Sequence, residues 1–375
     1  MSLLRHLPPV RRRVPLRLRA AKPLQEAFPG YAVQACGSGT QALALAIRAA
    51  VGARGSSAEI LLPAYGCPDL VAACLFAGAQ ARLVDNTPGQ WGYDLDRLHA
   101  AFSSNTAAVV AVNLLGSGDQ AHRLRELTRA RGVALIQDSA QHLPQVLPAD
   151  WQGDYVVLSF GRGKPLNLLG GGLLLQPAGG PDPLPARGQW DPPLFGAGLA
   201  FNIATDRRVY ALSSRLLGAR LGETRYKPLR EISTASPARV ARVAAGIADY
   251  RLAPGYDASV WNEACREWAQ YGVTRLSCAG VADPGPLRLR LALLARDHAQ
   301  RDTIVTALTA TGIGASRMYN ASLPALPDVP EQITAQGPFR NADELAQRLF
   351  TLPTHSQVGA DAVRVARDAL RRILR

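Results

Sequence analysis

From residue 40 to residue 175, short apolar runs alternate with stretches whose apolar residues recur at helical spacing. The segment 40–51 has that spacing and follows Ser38-Gly39, a capping and turn pair, so a helix is predicted there. A strand at 59–63, a helix at 68–77 and a strand at 81–85 come next. The alternation continues with a helix at 94–102, a strand at 107–113, a helix at 119–131 and strands at 133–137 and 155–159. Short apolar strands separated by helices predict an α/β domain with a mostly parallel sheet covered on both faces.

Residues 176–193 are rich in Pro and Gly and read as a loop. Helical patterns return at 208–217 and 237–250. Beyond about residue 254 the alternating LRLRLALL at 287–294 precedes helical patterns at 297–311, 341–350 and 360–374. This predicts a second, smaller α+β domain. The expected division is a large domain over 1–250, including a basic arm at 1–30, and a small domain over 251–375.

The chain has 375 residues, 47% of them hydrophobic and 19% charged, which suits a globular protein with a core that needs no disulfides. No apolar run approaches the ~20 residues of a membrane span. A net charge of +13 invites a nucleic-acid partner, but only Lys22, Lys164 and Lys227 are lysines. The remaining basic residues are arginines spread along the chain, a pattern of GC-rich coding, so no nucleic-acid partner is expected. The exception is the first twenty residues, whose MSLLRHLPPVRRRVPLRLR lacks the apolar region and cleavage site of a signal peptide. It reads as an arm packed on the fold, with contact to anionic lipid as the alternative. Five cysteines without a CxxC fit a reducing cytoplasm, and six histidines without HExxH predict no catalytic metal.

Several signatures fail. FGRGKPL at 160–166 has Leu158 and Pro165 where a P-loop needs Gly and Ser or Thr. CGSGT at 36–40 has Cys36 where GxSxG needs its first Gly. Three segments hold. ACGSGTQALALA is a Gly-rich turn entering a helix, where free N–H groups and the helix dipole favour an anion. ALIQDSAQ is an apolar strand ending in Asp138, read either as a helix cap or as an acid at the ligand end of a parallel strand. In GDYVVLSFGRGKPLNLLGGGLLL, Lys164 lies between two glycine clusters, either solvated or placed to attack an aldehyde. Together they supply what pyridoxal 5'-phosphate needs: an anion cradle (Gly39, Thr40, Ser159), an acid for the ring nitrogen (Asp138) and an amine (Lys164).

The chain resembles the DegT/DnrJ/StrS family of fold-type-I aminotransferases. SGTQAL matches the family's SGTxAL, LLPAYGC its VxVPxYTF, FAGAQARLVD its YAGAxPVFVD, and QDSAQ its EDAAQ. Residues 153–165 followed by 170–175 resemble GDxGCFSFxxxKN and GxGGxxxT, and NADELAQRLFTLPTHSQV resembles NAExLxxRxLSLPxHP. The resemblance implies that Lys164 bonds the cofactor and shuttles protons, and that Asp138 pairs with the ring nitrogen. It further implies that Gln141 touches the ring's 3-oxygen and that Gly39, Thr40 and Ser159 hold the phosphate. Cys67 stands where the family stacks an aromatic ring, with Tyr65 on the other side of the strand period. Ser236 occupies the slot of an Asn that reaches the partner subunit's phosphate.

A homodimer with its sites at the interface is implied as well. So is transfer of an amino group from glutamate or glutamine to a nucleotide-linked keto sugar, in polysaccharide or natural-product assembly. Members that dehydrate sugars carry histidine in place of the lysine. Two further readings stay open: a fold-type-I reaction on an amino acid or lipid precursor, and a catalytically silent relative.

Overall fold

The computed structural model describes residues 6–17, 21–146, 150–177, 187–188, 194–212, 225–252 and 255–374. Its main sheet holds nine strands: β1 (Tyr31–Cys36), β2 (Glu59–Pro63), β3 (Gln80–Val84), β4 (Thr106–Val112), β5 (Ala134–Asp138), β6 (Tyr155–Ser159), β7 (Gly172–Pro177), β8 (Arg187–Gly188) and β9 (Ser233–Thr234), in the order β3-β2-β4-β5-β6-β7-β1-β9-β8. β3, β2, β4, β5 and β6 run parallel, and β7 is antiparallel to both β6 and β1. The fold is therefore α/β with a mostly parallel sheet, as the alternation predicts. Runs such as ILLP and AAVVA are buried along their length because helices cover both faces.

Helices α2 (Asp69–Phe76), α3 (Leu95–Ala101) and α4 (Ala121–Arg129) fall within the predicted ones, and α1 (Gly39–Val51) starts one residue before its prediction. Small residues at Ala42, Ala44 and Ala46 let residues 41–47 of α1 lie buried between the sheet and α2. The alternation did not reveal β1 and β7. β1 mixes Gln34 with small apolar residues and is only half-buried, so its sequence carries no clean period. α5 (Leu194–Ala204) was not predicted either, and the second half of the helix expected at 208–217 lies outside the described residues. α6 (Pro237–Leu252) follows its prediction.

The C-terminal part holds α7 (Asn262–Ala269), α8 (His298–Ala310), α9 (Arg340–Arg348) and α10 (Ala360–Ile373) around a three-stranded antiparallel sheet. Its strands are β10 (Thr274–Arg275), β11 (Arg290–Leu294) and β12 (Leu349–Pro353). Two expectations are corrected here. The helix predicted to residue 350 stops at Arg348, because the buried LFTLP run pairs with β11 as a strand. The alternating LRLRLALL becomes a strand only from Arg290, and its polar face is buried too. Arg290 is 2% exposed and donates to the carbonyls of Pro9, Gly314 and Thr351 and to Thr351 Oγ1.

Residues 6–17 of the arm are packed on the fold, as the sequence reading preferred. Leu7 N–H donates to Gly312 O at 2.8 Å, and the leucine joins the C-terminal core. The His355 ring nitrogen Nε2 lies 3.0 Å from Pro8 O, and Asn167 donates to Arg12 O at 3.3 Å.

Candidate active site

The parallel strands end on one side of the sheet, where open α/β folds bind ligands. There Cys67 follows β2, Val112 ends β4 with Asn113 and Leu114 after it, and Asp138 and Ser159 end β5 and β6. With the N-terminus of α1, the 161–164 turn and Tyr319 they enclose a cleft of about 210 Å³. Gly39, Thr40, Cys67, Asp138, Gln141, Ser159 and Lys164 all line it. Ser236 does not. Its hydroxyl accepts the Arg239 N–H at 3.2 Å at the start of α6.

The N-terminus of α1 opens into the cleft. Ser38 is extended and caps the helix, its Oγ accepting Gln41 N–H at 3.2 Å. The side-chain Oε1 of the buried Gln41 accepts the N–H groups of Gly37 and Ser233 at 3.0 and 3.2 Å, which pins the turn to β9. A Cβ on Gly39 would lie 2.6 Å from Ser159 Cβ and 2.8 Å from its Oγ. Only glycine leaves the helix end open beside that hydroxyl. The Thr40 hydroxyl donates to Asp69 Oδ2 at 2.9 Å, so a carboxylate also lines this end.

Asp138 is 8% exposed, and its Oδ1 accepts Ala140 N–H at 2.9 Å. A turn follows it rather than a helix, so the helix-cap reading is set aside. Burial raises its carboxyl above the usual range, and the Ala140 N–H and the Lys164 charge pull it back. Lys164 is half-buried in a turn closed by its N–H on Gly161 O at 3.3 Å. Gly163, at φ +74°, and Gly170 and Gly171, at φ +156° and +101°, explain the flanking glycines.

Gln141 is held at both ends, Oε1 accepting Leu115 N–H at 3.0 Å and Nε2 donating to the Tyr319 hydroxyl at 2.9 Å. Burial pushes the Cys67 thiol up to about 12, and both Cys67 and Tyr319 line the cleft. Tyr65 is fully buried, donates to Tyr319 O at 3.2 Å and lies outside the cleft, as the strand period predicts. The sequence reading did not name Tyr319, Asp69 or Asn113. Tyr319 arrives from the C-terminal part across a fold-level contact. A local sign accompanies it: Met318 has φ +60°, rare for a long side chain, and Leu115 beside Leu114 has φ +57°.

The profile of the DegT/DnrJ/EryC1/StrS aminotransferase family matches residues 27–178 and 286–371. Curated relatives include GDP-perosamine synthase of Caulobacter vibrioides, 31% identical over 107 residues, 28% of this chain and 28% of that protein. A second is the UDP-N-acetyl-3-dehydro-alpha-D-glucosamine 3-aminotransferase of Acidithiobacillus ferrooxidans, 29% identical over 140 residues, 36% and 37% of the two chains. The chain thus spans well under half the length of these relatives. Among solved structures, DesV of S. venezuelae superposes with a TM-score of 0.65 at 18% identity, covering 93% of this chain and 86% of DesV. NtdA of Bacillus subtilis gives 0.66 at 15% identity, covering 91% and 73%.

Proposed function

Because the chain belongs to the DegT/DnrJ/EryC1/StrS aminotransferase family, we propose that it is an aminotransferase using pyridoxal 5'-phosphate. It moves an amino group from glutamate or glutamine to a keto group, that of a nucleotide-linked sugar. The observation that carries this reading is the gathering of Lys164, Asp138 and the open N-terminus of α1 around one cleft. The residues fit the cofactor. The missing side chain at Gly39 leaves an anion cradle beside Ser159, and the buried Asp138 gains most from a cation within reach.

Gly39, Thr40 and Ser159 would hold the phosphate, Asp138 the ring nitrogen, Gln141 the ring oxygen and Lys164 the aldehyde carbon. When bound, the cofactor supplies an electron sink for the carbanion that transamination requires. Asp138 keeps a proton on the ring nitrogen, and Lys164 Nζ takes and returns the substrate proton. Cys67 and Tyr319 offer a neutral, largely dry wall in the aromatic ring's place. Lysine rather than histidine at position 164 supports amino transfer over sugar dehydration.

The reading includes a homodimer in which Ser236 approaches the neighbouring site. It includes a cytoplasmic setting, supported by five free cysteines, and a division into domains at 1–250 and 251–375. The sugar acceptor rests on the relatives' named activities, with a non-sugar acceptor as the second reading because Cys67 and Ser236 depart from the family pattern.

Purified protein given pyridoxal 5'-phosphate should turn yellow, and borohydride should fix the cofactor to the peptide carrying Lys164. Glutamate or glutamine should then bleach the bound cofactor, and a nucleotide keto sugar should restore the colour. A protein that stays colourless refutes the reading. Bleaching that no keto sugar reverses favours the non-sugar acceptor.

A further inference from the structure

The arm and α5 form a unit that the proposed reaction does not use. They run antiparallel. Arg11 pairs with Asp206 at 3.4 Å, and the Val14 N–H and C=O bond the Asn202 amide at 2.8 and 2.9 Å. Val14 and Leu16 close over Gly198, where a Cβ would meet them at 2.9 and 3.0 Å. This contact buries the face of Leu194, Gly198 and Asn202.

The neighbouring stripe faces solvent. Phe195, Leu199 and Ile203, spaced by four, are 60%, 40% and 53% exposed, and Leu212 beyond the helix is 60% exposed. The solvent face of a globular helix ordinarily carries charge, yet LFGAGLAFNIA has none. Charge lies around it. Arg13 and Arg17 are exposed on the arm, one on each side of the residues that pack on α5, and Arg208 is exposed just past the helix end. Among residues 6–17 and 194–212 the one acid is Asp206, which Arg11 already engages.

We propose that this face seats the protein on an anionic lipid surface. Phe195, Leu199 and Ile203 enter the acyl boundary while Arg13, Arg17 and Arg208 meet headgroup phosphates. The contact is peripheral, since no helix among the described residues is long and apolar enough to cross a membrane. Charge selects lipid over a second copy of the chain. An isologous contact would bring two such arginine-rimmed patches face to face, whereas an anionic surface neutralises them.

The test is co-sedimentation of the full chain with phosphatidylcholine vesicles, with and without phosphatidylglycerol. The protein should pellet with the anionic vesicles, remain in solution with neutral ones and be released by high salt. Replacing Phe195, Leu199 and Ile203 together by Ser should cut the bound fraction on the order of tenfold, with melting temperature and sedimentation coefficient unchanged. Arg13→Ala combined with Arg17→Ala and Arg208→Ala should do the same. No binding to anionic vesicles, or equal binding to both kinds, overturns the proposal. A triple Ser variant that dissociates an oligomer also overturns it, by assigning the face to a second copy.

Discussion

A carboxyl buried as deeply as Asp138 is stabilised by any cation that reaches it. Asp138→Asn keeps an oxygen for the Ala140 N–H, so cofactor binding should persist in absorbance titrations. The amide cannot hold the ring nitrogen protonated. The rate at which glutamate bleaches the cofactor should fall on the order of 10²-fold or more; an unchanged rate would return Asp138 to a purely structural role. Asp69 works in the opposite sense. Its carboxylate takes the Thr40 hydroxyl inside the cradle, so an arriving phosphate must compete with it and sit near its charge. Asp69 is exposed, so solvent screens its charge, and Asp69→Asn should tighten pyridoxal 5'-phosphate binding about threefold. Equal or weaker binding in a titration would show that Asp69 serves to orient Thr40.

At the scale of elements, the arm is tied down by two buried basic side chains. His355 is 2% exposed, lies against Pro8 O, and accepts Gln357 N–H on Nδ1 at 3.3 Å. The ring is thus neutral with its proton on Nε2. Burial lowers its pKa from 6.5 to about 4. The folded value lies below the unfolded one, so its stabilisation is intact above pH ~6.5 and is lost as the pH falls toward about 4. The loss is on the order of 3 kcal/mol. Melting temperatures across that window should drop more steeply for the wild type than for His355→Gln, which cannot titrate. Arg290 binds Pro9, Gly314 and Thr351 from inside the C-terminal core. Arg290→Ala strands those carbonyls and should cost about 3 kcal/mol in denaturant unfolding. It should also expose the arm to limited proteolysis.

At the scale of the whole molecule, sedimentation at working concentration should give twice the mass of the 375-residue chain. Ser236→Asn, which can still cap α6, should tighten cofactor binding in that dimer by extending a polar group toward the neighbouring site. An active protein that sediments only as a monomer removes the interface role of Ser236.

The sequence by itself determined the elements whose burial is uniform. Glu59–Pro63 and Tyr155–Ser159 stand where their apolar runs predict, because a strand covered on both faces has no polar side to confuse the reading. Lys164 and Asp138 were legible for a similar reason. One is a rare lysine set among glycines that positive φ requires, and the other is the acid that ends an apolar strand. Where burial depends on distant partners, the sequence was silent or misleading. β12 reads as the tail of a helix until β11 pairs with it, and Arg290 reads as a solvent residue until the arm's carbonyls surround it. Tyr319 lies far along the chain from Gln141, and only packing of the C-terminal part against the sheet's end brings its hydroxyl into the cleft. Local periodicity encodes which face of an element is apolar. Which residues from remote elements share a cavity is set by the closing of the fold.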